Sequence, residues 1–123
     1  MIDPFTSLKP EGETAFSPIG ELQRLVTVLG AATAARVLDI DRALISRAVK
    51  GSERLSNEVV RRIQDLSYVL ARALTYFYPD EIGAWLMGPE PQLGGRVPMM
   101  VLALEGPKDV VDAIDAIRAG SFA

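Results

Sequence analysis

The sequence predicts an all-α protein, and three observations carry that prediction. Apolar residues recur at three- and four-residue spacing in several separate segments. Glycine and proline punctuate the segments, and no stretch beyond a few residues shows the two-residue alternation of a strand. With 123 residues, 49% hydrophobic and 24% charged, the chain has enough apolar material for a core and enough charge for a soluble surface. The expected architecture is a helix-turn-helix module packed on a C-terminal helical domain. Residues 1–17 read as an arm, 18–55 as the helix-turn-helix region and 56–123 as the second helical domain.

The arm holds Pro4, Pro10 and Gly12, with Pro18 just beyond it, and has no apolar period. A first helix is expected after Pro18, with Leu22, Leu25, Val26 and Leu29 on one face and Gly30 ending it. A second runs from about Ala32 to Leu38. After Asp39-Ile40-Asp41 comes a third, Arg42 to Lys50, with the Asp41 carboxylate as N-cap and Gly51 as stop. Ser56 caps the longest helix, expected to reach about Tyr78 with Val59, Ile63, Leu66, Leu70, Ala73, Leu74 and Phe77 along its buried face. Pro79 stops it, and Asp80-Glu81 open a helix carrying Ile82, Trp85 and Leu86. Residues 88–98 combine three prolines with three glycines, which predicts a loop of defined path. Pro98 begins a short helix through Leu104. Pro107 stands at the first position of a last helix with Val110, Val111, Ile114 and Ile117 facing inward, Arg118 near its end and Gly120 as stop.

The net charge of −3 hides an asymmetry. Residues 31–63 carry seven basic and four acidic groups, whereas 64–123 carry four basic and eight acidic ones. Charge acts locally because salt screens it over about 10 Å, so the basic middle is a candidate for phosphate contact. It coincides with the run Ala31 to Lys50, which fits a helix-turn-helix register. Ala35 supplies the small residue where two helices touch, and Ile40 and Ile45 supply the apolar positions after the turn. Asp39 stands where the turn usually holds glycine, and aspartate tolerates the left-handed region better than most residues. The outward positions are then Asp41, Arg42, Ala43, Ser46, Arg47 and Lys50. Arg42 and Arg47 are the expected base readers, Ser46 can reach a base or a phosphate, and Lys50, Arg54 and Arg36 are expected on phosphates of operator DNA. One such module binds weakly alone, so a homodimer is expected.

The second half carries the more distinctive pattern: Trp85-Leu86, the loop Gly88 to Pro98 with its Leu93-Gly94-Gly95-Arg96-Val97-Pro98 run, a short apolar helix, then Gly106 and a final helix ending Ala119-Gly120-Ser121-Phe122-Ala123. This resembles the toxin-binding domain of Xre/MbcA/ParS antitoxins. With an Xre-like helix-turn-helix upstream, residues 20–123 resemble the antitoxin of a RES–Xre toxin–antitoxin system. The family often has asparagine before the double glycine, where Glu90 or Gln92 stands here. The resemblance implies a cognate RES-domain toxin that consumes NAD, with the antitoxin's C-terminal region over the toxin's active-site cleft. It implies a blocking segment of Ser121, Phe122 and Ala123, with Arg96 and Arg118 at its rim and Gly120 as a further toxin-binding residue. A phosphate-binding cleft is cationic, which an acidic second half complements, and Phe122 offers an apolar anchor.

Catalysis by this chain is not expected. It has no cysteine and no histidine, and no serine or tyrosine has an evident base. Gly94-Gly95 lacks the preceding strand of a nucleotide-binding fingerprint, and no cofactor or metal is expected. Neither a leader nor a membrane span is visible, so a cytoplasmic location is expected. The rival reading is a stand-alone helix-turn-helix transcription regulator whose C-terminal domain only dimerises.

Overall fold

A computed structural model describes residues 16–120, and among these every regular element is helical. The elements are α1 (Pro18–Leu29), α2 (Ala31–Leu38), α3 (Arg42–Val49), α4 (Asn57–Ala73), α5 (Pro79–Met87), a 3-10 turn (Pro91–Leu93), α6 (Pro98–Glu105) and α7 (Lys108–Gly120). The all-α expectation holds. No described helix is long and apolar enough to cross a membrane.

Helix α4 is the spine. Ser56 caps it, its hydroxyl accepting from the Val59 amide at 3.2 Å. Val59, Ile63, Leu66, Val69, Leu70 and Ala73 form a buried stripe at helical spacing. α1, α2, α6 and α7 all pack against it. One cluster of buried side chains runs from Leu22 of α1 through α4 to Ile114 of α7, so the first and last described helices share a single core. Two side-chain ties reinforce the spine. Arg62 donates to the Leu38 carbonyl at 3.2 Å, satisfying an open acceptor at the end of α2. Arg72 donates to Asp115 of α7 at 3.1 Å.

Several expected boundaries move. α4 stops at Ala73 rather than Tyr78, and residues 74–76 continue as a turn. The run Thr75-Tyr76-Phe77-Tyr78 is β-branched and aromatic, a poor helix former. The Thr75 hydroxyl donates to the Arg72 carbonyl at 2.6 Å, and Tyr78, held before Pro79, is extended with ψ 145°. Glu81 then reaches back to accept the Tyr78 amide at 3.1 Å and starts α5. Asp41 occupies the N-cap of α3, but its carboxylate makes no capping bond; its backbone carbonyl takes the Leu44 and Ile45 amides instead. Pro107 lies one residue before α7, although its carbonyl accepts from Val111. On α7, Ala113 is buried and Ile117 is only half-buried.

Candidate functional site

The corner between α2 and α3 is made by the backbone. The Ile40 amide donates to Ala35 at 2.9 Å and the Asp39 amide to Arg36 at 3.2 Å, the paired bonds that close a helix on a left-handed residue. That residue is Asp39, at φ 57°, the one non-glycine with positive φ among the described residues. The same pair recurs at the end of α3, where Ser52 donates to Arg47 at 2.9 Å and Gly51 to Ala48 at 3.1 Å, with Gly51 at φ 83°. Ala34, Ala35, Ile45 and Ala48 are buried beneath the corner, and small side chains let the two helices approach closely.

This frame leaves Arg42, Ser46 and Lys50 exposed, four residues apart along one face of α3 and its cap. The other basic residues of the region go elsewhere. Arg47 is held by Glu53, in the connection after α3, through a short Nε–Oε1 contact. Arg54 is exposed beside the start of α1, where it lines a groove with Pro18 and Ile19. Arg36 is exposed on α2 and lines a groove against α6. The predicted DNA-contacting set is therefore brought together only in part, as the α3 row.

The loop between α5 and α6 is built on a carboxylate. Glu90 is only 6% exposed, the one buried charged residue among those described. One carboxylate oxygen accepts from the Trp85 indole N–H at 2.7 Å and the other from the Gln92 amide at 2.7 Å. Its own amide donates to the Arg96 carbonyl at 3.0 Å, and its carbonyl accepts from Leu93 and Gly95, each at 2.9 Å. Gly94 and Gly95 follow at φ 69° and 86°; a Cβ there would meet no neighbour, so backbone conformation alone asks for glycine. Trp85 is half-buried and packs its ring on Phe77 with centroids 5.8 Å apart. Sequence reasoning missed Glu90. The available signal was an acid enclosed by two prolines five residues after a tryptophan, whose indole N–H needs an acceptor once buried.

Arg96 leaves this loop toward α6, donating through Nε to Leu93 at 3.1 Å and through Nη1 to Glu105 at 2.7 Å. Across the domain, Arg118 lies over the Tyr76 ring at 4.8 Å from its centroid. The Tyr76 hydroxyl, followed by the Asp115 carboxylate, raises the pKa of Arg72 above its ordinary value. Gly120 is exposed at the end of α7. Ser121, Phe122 and Ala123 lie outside the described residues, as do residues 1–15 of the expected arm.

Residues 71–120, from the last turn of α4 to the end of α7, match the family model of the antitoxin Xre/MbcA/ParS C-terminal toxin-binding domain. This region is an Xre/MbcA/ParS-type toxin-binding domain. It contains the Glu90 loop, Arg96, Arg118 and Gly120. Neither the curated proteins nor the solved structures gave a match to the chain. The matched residues lie within the expected second helical domain, 56–123, and most of α4 precedes them as the spine shared with α1 and α2.

Proposed function

We propose that this antitoxin neutralises a RES-domain, NAD-degrading toxin by laying its C-terminal region over the toxin's active-site cleft, and that it represses its own operon as a cytoplasmic homodimer. The observation that carries the reading is the toxin-binding domain at residues 71–120. Its last helix delivers the chain at Gly120 directly to Ser121, Phe122 and Ala123. Arg96 and Arg118 stand at the rim of the contact. The acidic balance of residues 64–123 suits a cleft whose cationic groups hold NAD phosphates.

For the DNA-binding activity, α2 and α3 act as the helix-turn-helix. Arg42 and Ser46 reach base edges, Lys50, Arg54 and Arg36 contact phosphates, and Arg47 joins the readers once it leaves Glu53. The exposed α3 row and the left-handed corner support this reading.

The deciding experiment co-purifies the protein with the product of the adjacent gene and follows NAD consumption. It uses the full chain and a chain ending at Gly120. Both forms are expected to bind, and only the full chain to inhibit. Failure of both to bind would leave the stand-alone regulator as the better account. On promoter DNA, Arg42→Ala is expected to weaken specific binding roughly tenfold, and Lys50→Ala to lower the salt slope by about one. Equal affinities for Arg42→Ala and the unmodified chain would remove α3 as the reading helix.

A further inference from the structure

Helix α6, Pro98-Met99-Met100-Val101-Leu102-Ala103-Leu104-Glu105, is apolar on every side, a composition that belongs in an interior. Among the described residues only one side of it is covered. Pro98, Val101 and Leu102 are buried against the core, whereas Met100 is 54% and Leu104 79% exposed. These two side chains lie one turn apart and form a ridge. A groove runs along each flank. One is almost wholly apolar, with Gly95, Val97 and Val101 in its lining. The other is shared with α2 and includes Arg36, Val37 and Asp39. Within residues 71–120 the only other large apolar side chain so exposed is Tyr78, alone at the start of α5.

A toxin-binding domain whose one clustered apolar surface is this ridge has a specific place to seat its partner. Resting on the toxin-binding reading, we infer that Met100 and Leu104 are the apolar anchors of the toxin interface, and that the toxin's footprint continues from α6 onto Arg36 of α2. The partner face is an apolar depression that receives the ridge, rimmed by polar groups facing Arg96–Glu105 on one flank and Arg36 and Asp39 on the other. Large side chains that fill such depressions carry most of an interface's energy, and the charged flanks set orientation. The footprint therefore exceeds the matched domain: α2, outside residues 71–120, contributes to toxin recognition.

The test titrates the toxin encoded beside this chain into the full-length protein by calorimetry, with light scattering on the same samples. Because both anchors are exposed, Met100→Lys/Leu104→Lys leaves the far-ultraviolet spectrum and melting temperature unchanged. It is expected to weaken toxin binding about 100-fold, or more, as the loss of two hot spots predicts. Arg36→Glu is expected to weaken it roughly tenfold. If the unmodified chain binds and the double variant matches it within about threefold, the ridge is not the interface. If the double variant instead becomes monomeric at full toxin affinity, the ridge belongs to a second copy of this chain. Unchanged binding by Arg36→Glu would confine the footprint to residues 71–120 and overturn its extension onto α2. No binding by the unmodified chain would overturn the toxin-binding reading itself, and the inference with it.

Discussion

Two connections in this molecule make sharp bends by different means. The α2–α3 corner at Asp39 is closed by main-chain hydrogen bonds, with a single left-handed residue and no capping side chain. The loop from Gly88 to Val97 also uses left-handed residues, Gly94 and Gly95, and main-chain bonds linking Glu90 with Leu93, Gly95 and Arg96, but it adds a buried carboxylate that joins the Trp85 indole to the Gln92 amide. Backbone closure is local, needs no particular side chain and tolerates Asp39 in place of glycine. Closure at Glu90 adds to such main-chain bonds one side chain that ties the loop back to α5 through Trp85. Removing a residue from the first should do little harm, and removing Glu90 from the second should do much.

The largest expected effect is at Glu90. Glu90→Ala deprives the Trp85 indole and the Gln92 amide of their acceptor, and charge-assisted bonds of this kind are worth about 1.5–3 kcal/mol each. A loss of about 3–4 kcal/mol in urea unfolding is predicted, with toxin binding lost alongside it. A loss below about 1 kcal/mol would mean that the loop is held by its backbone, as the corner is.

Gly95→Ala comes next. With open space around the added methyl group, its cost is that of forcing a side chain into positive φ, about 1–2 kcal/mol by the same unfolding measurement. Asp39→Gly applies the same physics in reverse. It relieves the left-handed residue at the corner and is predicted to stabilise the protein by roughly 0.5–1 kcal/mol, read as a higher melting temperature. Destabilisation instead would assign the Asp39 side chain a role that its geometry does not suggest.

The smallest effect is expected at Glu53. The Arg47–Glu53 pair is solvent-exposed, so Glu53→Gln should change stability by less than about 1 kcal/mol. It should nonetheless tighten promoter binding several-fold, by freeing Arg47 and removing a like charge to DNA. Unaltered DNA affinity would show that Arg47 takes no part in that contact.

The expected elements were legible where the sequence is regular. The helical spacing of Leu22 and Leu25, the buried stripe of α4 from Val59 to Ala73, the Ser56 cap and the left-handed tolerance of Asp39 all follow from local chemistry, and the structure contains each of them. The misplaced features lie where neighbours compete. The Asp41 carboxylate had the chemistry of a cap, yet the backbone around it closes without one. Leu74 and Phe77 continue the apolar spacing of α4 and pack on the core from a turn, because burial rewards position and not helicity.

The candidate site was less legible. The proline- and glycine-rich loop and the Gly94-Gly95 pair announced a defined path, but only the flanking prolines and a tryptophan five residues earlier set Glu90 apart from a solvated acid. Its role depends on Trp85 arriving from the preceding helix. The basic residues of 36–54 look like one set in sequence and divide in space, with Arg47 on Glu53, Arg36 facing α6 and Arg54 beside α1.

By itself, the sequence determined the helical class, the order of the helices and the chemical character of each face, since propensity, capping and periodicity act over a few residues. The tertiary structure alone decided which carboxylate became buried, which basic side chains line the exposed face of α3, and which face of the largely apolar α6 was left uncovered among the described residues. Those outcomes depend on desolvation and packing between segments far apart in the chain, and no local pattern encodes them.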